Sequence, residues 1–322
     1  MAKLRIVFMG TGDIALPSMR IFVNNPEQPY ELVALVTQPD KPVGRKQVMT
    51  APAIKELALS HDVAVLQPES AREASFLDAL RALQPDVIVV MAYGQILSQA
   101  LLDIPSLACI NLHASLLPKY RGAACIQAAI DAGDSHTGIT VMHVVKALDA
   151  GDIILKEETP IGLHETGGEL HDRLAEMGPG ALEQVLGQLV RGDAIRTPQD
   201  PAQASYISKL MREHGEIDWS QSAEALERRI RAYDPWPGTS TSFVDNKGRK
   251  RRLKIFPQVE LGGQSGKPGE VLSVNELLCV ACGEGCLVVK SLQPDGSRRM
   301  SSADFLMGKP ICIGDQLGES VQ

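Results

Sequence analysis

The sequence predicts an α/β protein with a doubly wound, mostly parallel sheet, followed by a second domain built as a small antiparallel barrel. Three observations predict this. From Leu4 to about Gln188, short apolar runs alternate with helical stretches, the pattern of βα units. A polar stretch with two prolines, RGDAIRTPQDPAQAS, then interrupts the pattern at 191–205. Beyond it, one helix precedes several short strands with glycine turns. The domains are therefore expected at 1–190 and 206–322, joined by a linker at 191–205. At 322 residues, 44% hydrophobic and 22% charged, the chain is long enough for two cores.

The elements follow in order. Strands are expected at 4–9, 31–37, 63–66, 86–91, 107–112, 138–144 and 153–157. Between them lie amphipathic segments such as 70–83, SAREASFLDALRAL, with Ser70 as N-cap and Glu73 in the capping-box position. A long helix is expected from about Thr166 to Val190, broken near Gly178-Pro179-Gly180. In the second domain a helix at 222–232 precedes strands at 239–245, 252–256, 269–274, 277–282 and 286–292. The chain enters a strand by Leu4 without a secretory pattern, and no apolar run approaches the ~18 residues that span a bilayer. A cytoplasmic protein is expected.

The first turn, G-T-G-D-I-A, matches the glycine fingerprint of dinucleotide sites, where helix N–H groups can face an anion. An NAD site also needs an acid at the end of the second strand to hold a ribose hydroxyl. Here the strand ELVALVT runs into Gln38 and Pro39, and the acid, Asp40, arrives only after the proline. An NAD oxidoreductase is thus one reading of this half, and the turn alone does not decide it.

Charge is uneven. Residues 1–205 carry −8 and residues 206–322 carry +1, within a net charge of −7. Six cations, Lys247, Arg249, Lys250, Arg251, Arg252 and Lys254, fall within NKGRKRRLK, a pattern that suits a polyanion. Cys279, Cys282 and Cys286 have the outward look of a zinc motif, but no fourth ligand is near and the flanking residues are apolar. They are expected to be core residues, with no metal. No H-E-x-x-H, G-x-S-x-G or Walker loop is present.

The stretch ACINLHASLLPKYRGAACIQAAI, 108–130, carries the chemistry. Alternation puts Asn111 and His113 on one side at the carboxyl end of a strand, where ligands of open α/β sheets bind. An amide there can stabilise an oxyanion, and an imidazole can move a proton. Ser115-Leu116-Leu117-Pro118 turns back as a partly apolar loop suited to lining a pocket for a flat ring. Asp149 and Asp152 flank a tight Ala-Gly turn, and either could orient the histidine.

N-L-H-A-S-L-L-P, followed by R-G-A-A and later by L-D-A-G-D, closely resembles the folate-dependent formyltransferases. TQPDKPVGR at 37–45, EIDWSQSAEALERRIRAYDPWPGT at 216–239, SLQPDG at 291–296 and SSADFL at 301–306 extend the resemblance almost end to end, to the branch that acts on a tRNA. It implies a Rossmann-like formyltransferase domain and a C-terminal barrel similar to an OB-fold. It further implies transfer of a formyl group from 10-formyltetrahydrofolate to the methionine α-amine of initiator methionyl-tRNA, with neither metal nor NAD. Asn111, His113 and Asp149 would be catalytic, Ser115 to Pro118 would border the folate, and Arg45 and the second-domain cations would touch tRNA. One departure stands out: the family turn G-T-P-D-F reads G-T-G-D-I here, with Gly12 and Ile14. Members that formylate a purine-pathway or sugar amine share the N-x-H…D core but not this second half. A tRNA-binding protein without catalysis is a further reading, which the retained trio opposes.

Overall fold

A computed structural model describes residues 3–24, 28–44, 46–308 and 310–318. Two compact units divide the chain: one holds 1–125, 136–159 and 171–207, the other 126–135, 160–170 and 208–322. Strand β1 (Leu4–Gly10) leads into α1 (Leu16–Val23), and β2 (Tyr30–Val36) into a ribbon of β3 (Lys41–Val43) and β4 (Val48–Thr50). Next come α2 (Ala53–Leu59), β5 (Val65–Leu66), α3 (Ala74–Ala82), β6 (Val87–Met91), α4 (Gln99–Leu102) and β7 (Ala108–His113). The two-residue β8 (Arg121–Gly122), α5 (Cys125–Ala132), β9 (His136–His143), β10 (Ile153–Pro160), α6 (Gly167–Arg191) and β11 (Tyr206–Ile207) follow.

Seven strands form the main sheet in the order β10-β9-β7-β6-β1-β2-β5. The pairs from β5 to β7 are parallel, and β9 runs antiparallel to β7. Ile6 to Met9 and Val87 to Val89 are fully buried, so β1 and β6 are covered on both faces, as continuous apolar runs require. Between these two strands the winding reverses, and their carboxyl ends border the crevice where such sheets bind ligands. The first turn is bonded into the protein itself: Thr11 Oγ1 donates to the Tyr93 carbonyl and accepts from Gln38 N–H and the Thr37 hydroxyl. Asp40 is likewise engaged, accepting from Lys55 Nζ and Gln67 Nε2 at 2.8 Å each. These bonds hold its pKa below the ordinary carboxylate value, Gln67 first and then Lys55.

Several expectations change. Helix α3 starts at Ala74, not Ser70; the Ser70 N–H donates to Glu73 Oε1, so the pair closes a turn before the helix. Helix α6 runs unbroken through Pro179 for 25 residues. The proline removes one backbone bond and costs about 3 kcal/mol in an isolated helix. Leu174, Ala181, Leu182, Val185 and Leu186 bury a full face and offset that loss. Gly178 fits a close approach: a Cβ there would lie 2.4 Å from Ser18 Oγ. The polar stretch after β2 holds the β3–β4 ribbon, which is not among the expected strands and whose Val43, Val48 and Met49 are exposed.

In the second unit, α7 (Ala223–Ala232) starts from Ser222, whose hydroxyl caps the Ala225 N–H at 3.2 Å. Strands β12 (Thr239–Val244), β13 (Lys250–Ile255), β14 (Glu260–Gly262), β15 (Val271–Ser273), β16 (Leu278–Ala281), β17 (Cys286–Val289), β18 (Ser291–Pro294) and β19 (Met300–Ser301) precede α8 (Ser302–Met307). They form two antiparallel sheets, β12-β13-β18-β19 and β14-β17-β16-β15, that make the barrel. The single strand expected at 286–292 is two, because the chain crosses from one sheet to the other at Lys290. Trp219, Leu226, Phe243, Leu253, Leu287 and Phe305 meet in its core. Cys279, Cys282 and Cys286 are buried, and burial pushes the Cys279 and Cys282 thiols up to about 12. Among the described residues no three His, Cys, Asp or Glu side chains gather as a metal group, and no helix is long and apolar enough to cross a membrane.

Candidate active site

Strand β7 ends the apolar run Ala-Cys-Ile with Asn-Leu-His. Asn111 pairs with Val90 of β6 on one side and Met142 of β9 on the other, and His113 pairs with Thr140. Asn111 is half-buried, and its amide has no hydrogen-bond partner among the described residues. His113 is buried, and its Nε2–H donates to the Tyr120 carbonyl at 2.9 Å. Because a carbonyl can only accept, that bond commits Nε2 as a donor and leaves Nδ1 as the atom that gains or loses a proton.

Nδ1 faces Asp149 Oδ2 at 3.8 Å. The same Oδ2 accepts the Gly122 N–H at 2.8 Å, and Asp149 sits on a left-handed turn at φ 48°. Asp152, which spacing could not separate from Asp149, turns away to Arg196 at 3.1 Å. Burial works against a charged ring at His113. The Cys125 sulfur beside the imidazole, the Asp149 carboxylate and the Tyr120 carbonyl all favour the cation. They win, raising the pKa from 6.5 to about 9. A neutral ring with its proton on Nε2 would present a lone pair to the carboxylate, whereas a proton on Nδ1 turns that repulsion into attraction.

The loop after β7 is tightly bonded. Ser115 is fully buried, its hydroxyl donating to the Lys119 carbonyl at 2.7 Å and its own carbonyl accepting from Thr140 Oγ1. Leu117 packs against Met142 and Ile153. That leaves Leu116 and Pro118, both half-buried, as the members of Ser115 to Pro118 able to face a ligand. Arg45 lies outside the described residues.

Among the second-unit cations, alternation along β13 puts Lys250, Arg252 and Lys254 on one exposed face. Arg251 points to the other side, where its guanidinium donates to the Asp295 carbonyl at 3.3 Å. Arg249 is paired with Asp245 at 2.9 Å, and the Lys247 N–H caps the same carboxylate. Sequence reasoning missed Tyr120, Cys125, Gln199 and Ser205, which support the site from behind. Arg121 and Gly122 lay within the R-G-A-A stretch, the one local signal that pointed near them.

A family profile described as formyl transferase matches residues 4–186, and one described as formyl transferase, C-terminal domain, matches 209–310. The chain is 53% identical to a methionyl-tRNA formyltransferase of Akkermansia muciniphila, over 95% of this chain and 97% of that protein. To one from Geobacter sulfurreducens it is 43% identical, over 99% and 98%. Among solved structures it resembles WlaRD, a sugar 3N-formyl transferase crystallised with dTDP and 5-N-formyl-THF, with a TM-score of 0.65, 17% identity and coverage of 92% of this chain and 99% of that one. It also resembles HypX from Aquifex aeolicus in complex with tetrahydrofolic acid, with a TM-score of 0.62 and 20% identity, over 95% of this chain and about half, 47%, of that one. At these identities the two structures bear on the fold alone.

Proposed function

This chain belongs to the formyl transferase family, and on that premise we propose that it moves the formyl group of 10-formyltetrahydrofolate to the methionine α-amine of initiator methionyl-tRNA, giving N-formylmethionyl-tRNA for translation initiation. The observation that carries this reading is the extent of the similarity: identities of 53% and 43% to two methionyl-tRNA formyltransferases run over 95% and 99% of the chain, and so through both units. A protein with these two substrates works in the cytoplasm. Incubation with 10-formyltetrahydrofolate and charged initiator tRNA is expected to yield formylmethionine. Formylation of an amino sugar with none on the tRNA would overturn the reading.

The residues fit a formyl donor. The folate presents a formyl carbon on N10, and its oxygen gains negative charge as an amine attacks. The unengaged Asn111 amide is the donor for that oxygen, an N–H that is not withdrawn from another acceptor. His113 holds a proton at Nδ1 in the resting enzyme; that proton passes to N10 as the bond between the formyl carbon and N10 breaks, and the ring takes back the proton that the amine loses on joining the formyl carbon. Asp149 keeps the ring cationic and aimed, and Leu116 and Pro118 shield the site from water.

A proton donor with a raised pKa has a defined pH signature. The active form is the cation, so kcat/KM is expected to fall as pH rises through about 9, where His113 deprotonates. Asp149→Asn removes one cause of the raised pKa, so the alkaline limb should move to lower pH. A rate that keeps climbing through that region would make His113 a base instead.

The exposed face of β13 is the proposed tRNA contact. Its cations are held about 7 Å apart by the strand repeat and can meet successive phosphates. Changing Lys250, Arg252 and Lys254 to Ser is expected to weaken tRNA binding and lower the slope of log affinity against log salt by roughly two units. Unchanged affinity and slope in filter-binding titrations would remove this face from the interface.

A further inference from the structure

Segment 197–207, polar and twice interrupted by proline, reaches the back of the catalytic turn. Thr197 bridges to Ile153 through two backbone bonds of 2.8 and 2.9 Å. Ser205 accepts the Tyr120 N–H on its hydroxyl and the Arg121 N–H on its carbonyl, each at 2.8 Å, and β11 then pairs with β8. Between these anchors stands Gln199. Its Nε2 donates to the Asp149 carbonyl and to the Gly151 carbonyl, both at 2.8 Å, so one carboxamide closes the two ends of the Asp-Ala-Gly turn. Its Oε1 accepts from Arg121 Nε at 3.1 Å and Nη2 at 2.7 Å.

Arg121 explains why the amide cannot turn over. Arg121 is 4% exposed, and its guanidinium donates a third hydrogen bond to the Tyr206 hydroxyl at 2.9 Å, with its charge 5.6 Å from the Tyr206 ring centroid. A guanidinium has donors only, so the Gln199 oxygen must face it and the NH₂ must face the two carbonyls. The turn needs such a hold. Asp149 is not a glycine, yet it occupies the left-handed region, a conformation that persists where neighbours over-determine it.

We propose that Gln199 is a positioning residue for formyl transfer: anchored by buried Arg121, its carboxamide locks the left-handed turn that aims Asp149 at His113. The proposal rests on the reading of Asp149 and His113 as catalytic. Gln199 touches no reacting atom; it acts through the Asp149 backbone.

Gln199→Glu separates this role from a structural one. The carboxylate keeps two acceptors for Arg121 and strengthens that contact into an ion pair, but it has no N–H for the Asp149 and Gly151 carbonyls. Gln199→Met, of similar length and also without a donor, is the second variant should the first not fold. Kinetics with 10-formyltetrahydrofolate and charged initiator tRNA are expected to show kcat lowered by about 10- to 100-fold with both KM values within twofold, the size of a small misplacement near the chemistry. The alkaline limb of the pH profile should move down, as in Asp149→Asn, and the thermal midpoint of Gln199→Glu should stay near wild type. In an Asp149→Ala background, Gln199→Glu should cause no further loss. A folded Gln199→Glu enzyme with wild-type kcat and pH profile, beside an inactive Asp149→Ala, overturns the proposal alone. Additive losses in the double variant overturn it too, and an active Asp149→Ala overturns the catalytic reading on which it rests.

Discussion

His113→Ala is expected to lower the turnover of formyl transfer by about 10²–10⁴-fold and to leave binding of charged tRNA within twofold of wild type. The size follows from what the ring does alone. It is the titratable group beside the unengaged Asn111 amide whose raised pKa keeps it a cation at neutral pH, and it is the ring that faces Asp149. Asn111→Ala is expected to lose about 10²–10³-fold, the usual effect of deleting one oxyanion donor. Both side chains lie at the end of β7, and neither belongs to the cationic strand proposed to meet the tRNA. Single-turnover formylation and tRNA binding are the measurements. Either variant keeping more than half of wild-type turnover would remove that residue from the mechanism.

Gly151→Ala is expected to disable the protein by a different route. A Cβ on Gly151 would lie 1.8 Å from the His143 carbonyl oxygen and 2.8 Å from its carbon, both backbone atoms that no side-chain movement can clear. The turn must shift, and it carries the Asp149 carbonyl, the Gly151 carbonyl and the carboxylate facing His113. We expect destabilisation of about 3 kcal/mol, the upper end for overpacking, and a kcat loss of about 10²-fold from displaced catalytic atoms. Thermal unfolding and steady-state kinetics test it. Gly180→Ala is the control, because a Cβ there meets nothing within 4 Å and a helical alanine is favoured over glycine. If Gly151→Ala unfolds at the wild-type temperature with wild-type kcat, the turn is not held as described.

Part of the site is legible in the amino-acid sequence. Asn111 and His113 are two apart on an apolar run, and strand alternation alone places them together. The choice between Asp149 and Asp152 is not legible from spacing, because both flank the same turn. It depends on the Gly122 N–H, which meets one carboxylate, and on Arg196, which draws off the other. Likewise, six basic residues in a short stretch look alike as a sequence. Strand pleat and Asp245 then sort them: three share an exposed face, and Arg249 is tied into its own hairpin. The expected break in α6 failed for a related reason, since the local penalty of Pro179 was set against a buried face that propensity cannot see.

By itself the sequence determined the alternation of strands and helices, the change to short strands after residue 205, and the Asn-Leu-His strand end. Each is a pattern within a few residues, governed by backbone geometry and by which side chains avoid water. Tertiary structure alone decided that α6 stays whole and that a ribbon follows β2, and it placed Asp149, singled out until then only by the family resemblance, with its carboxylate facing the histidine. It also decided that Arg121 and Gln199, 78 positions apart, clamp the turn holding that carboxylate. Such contacts leave no periodic trace, because the free energy that selects them comes from burying a guanidinium and pairing every donor around it, and that exists only once the distant segments have met.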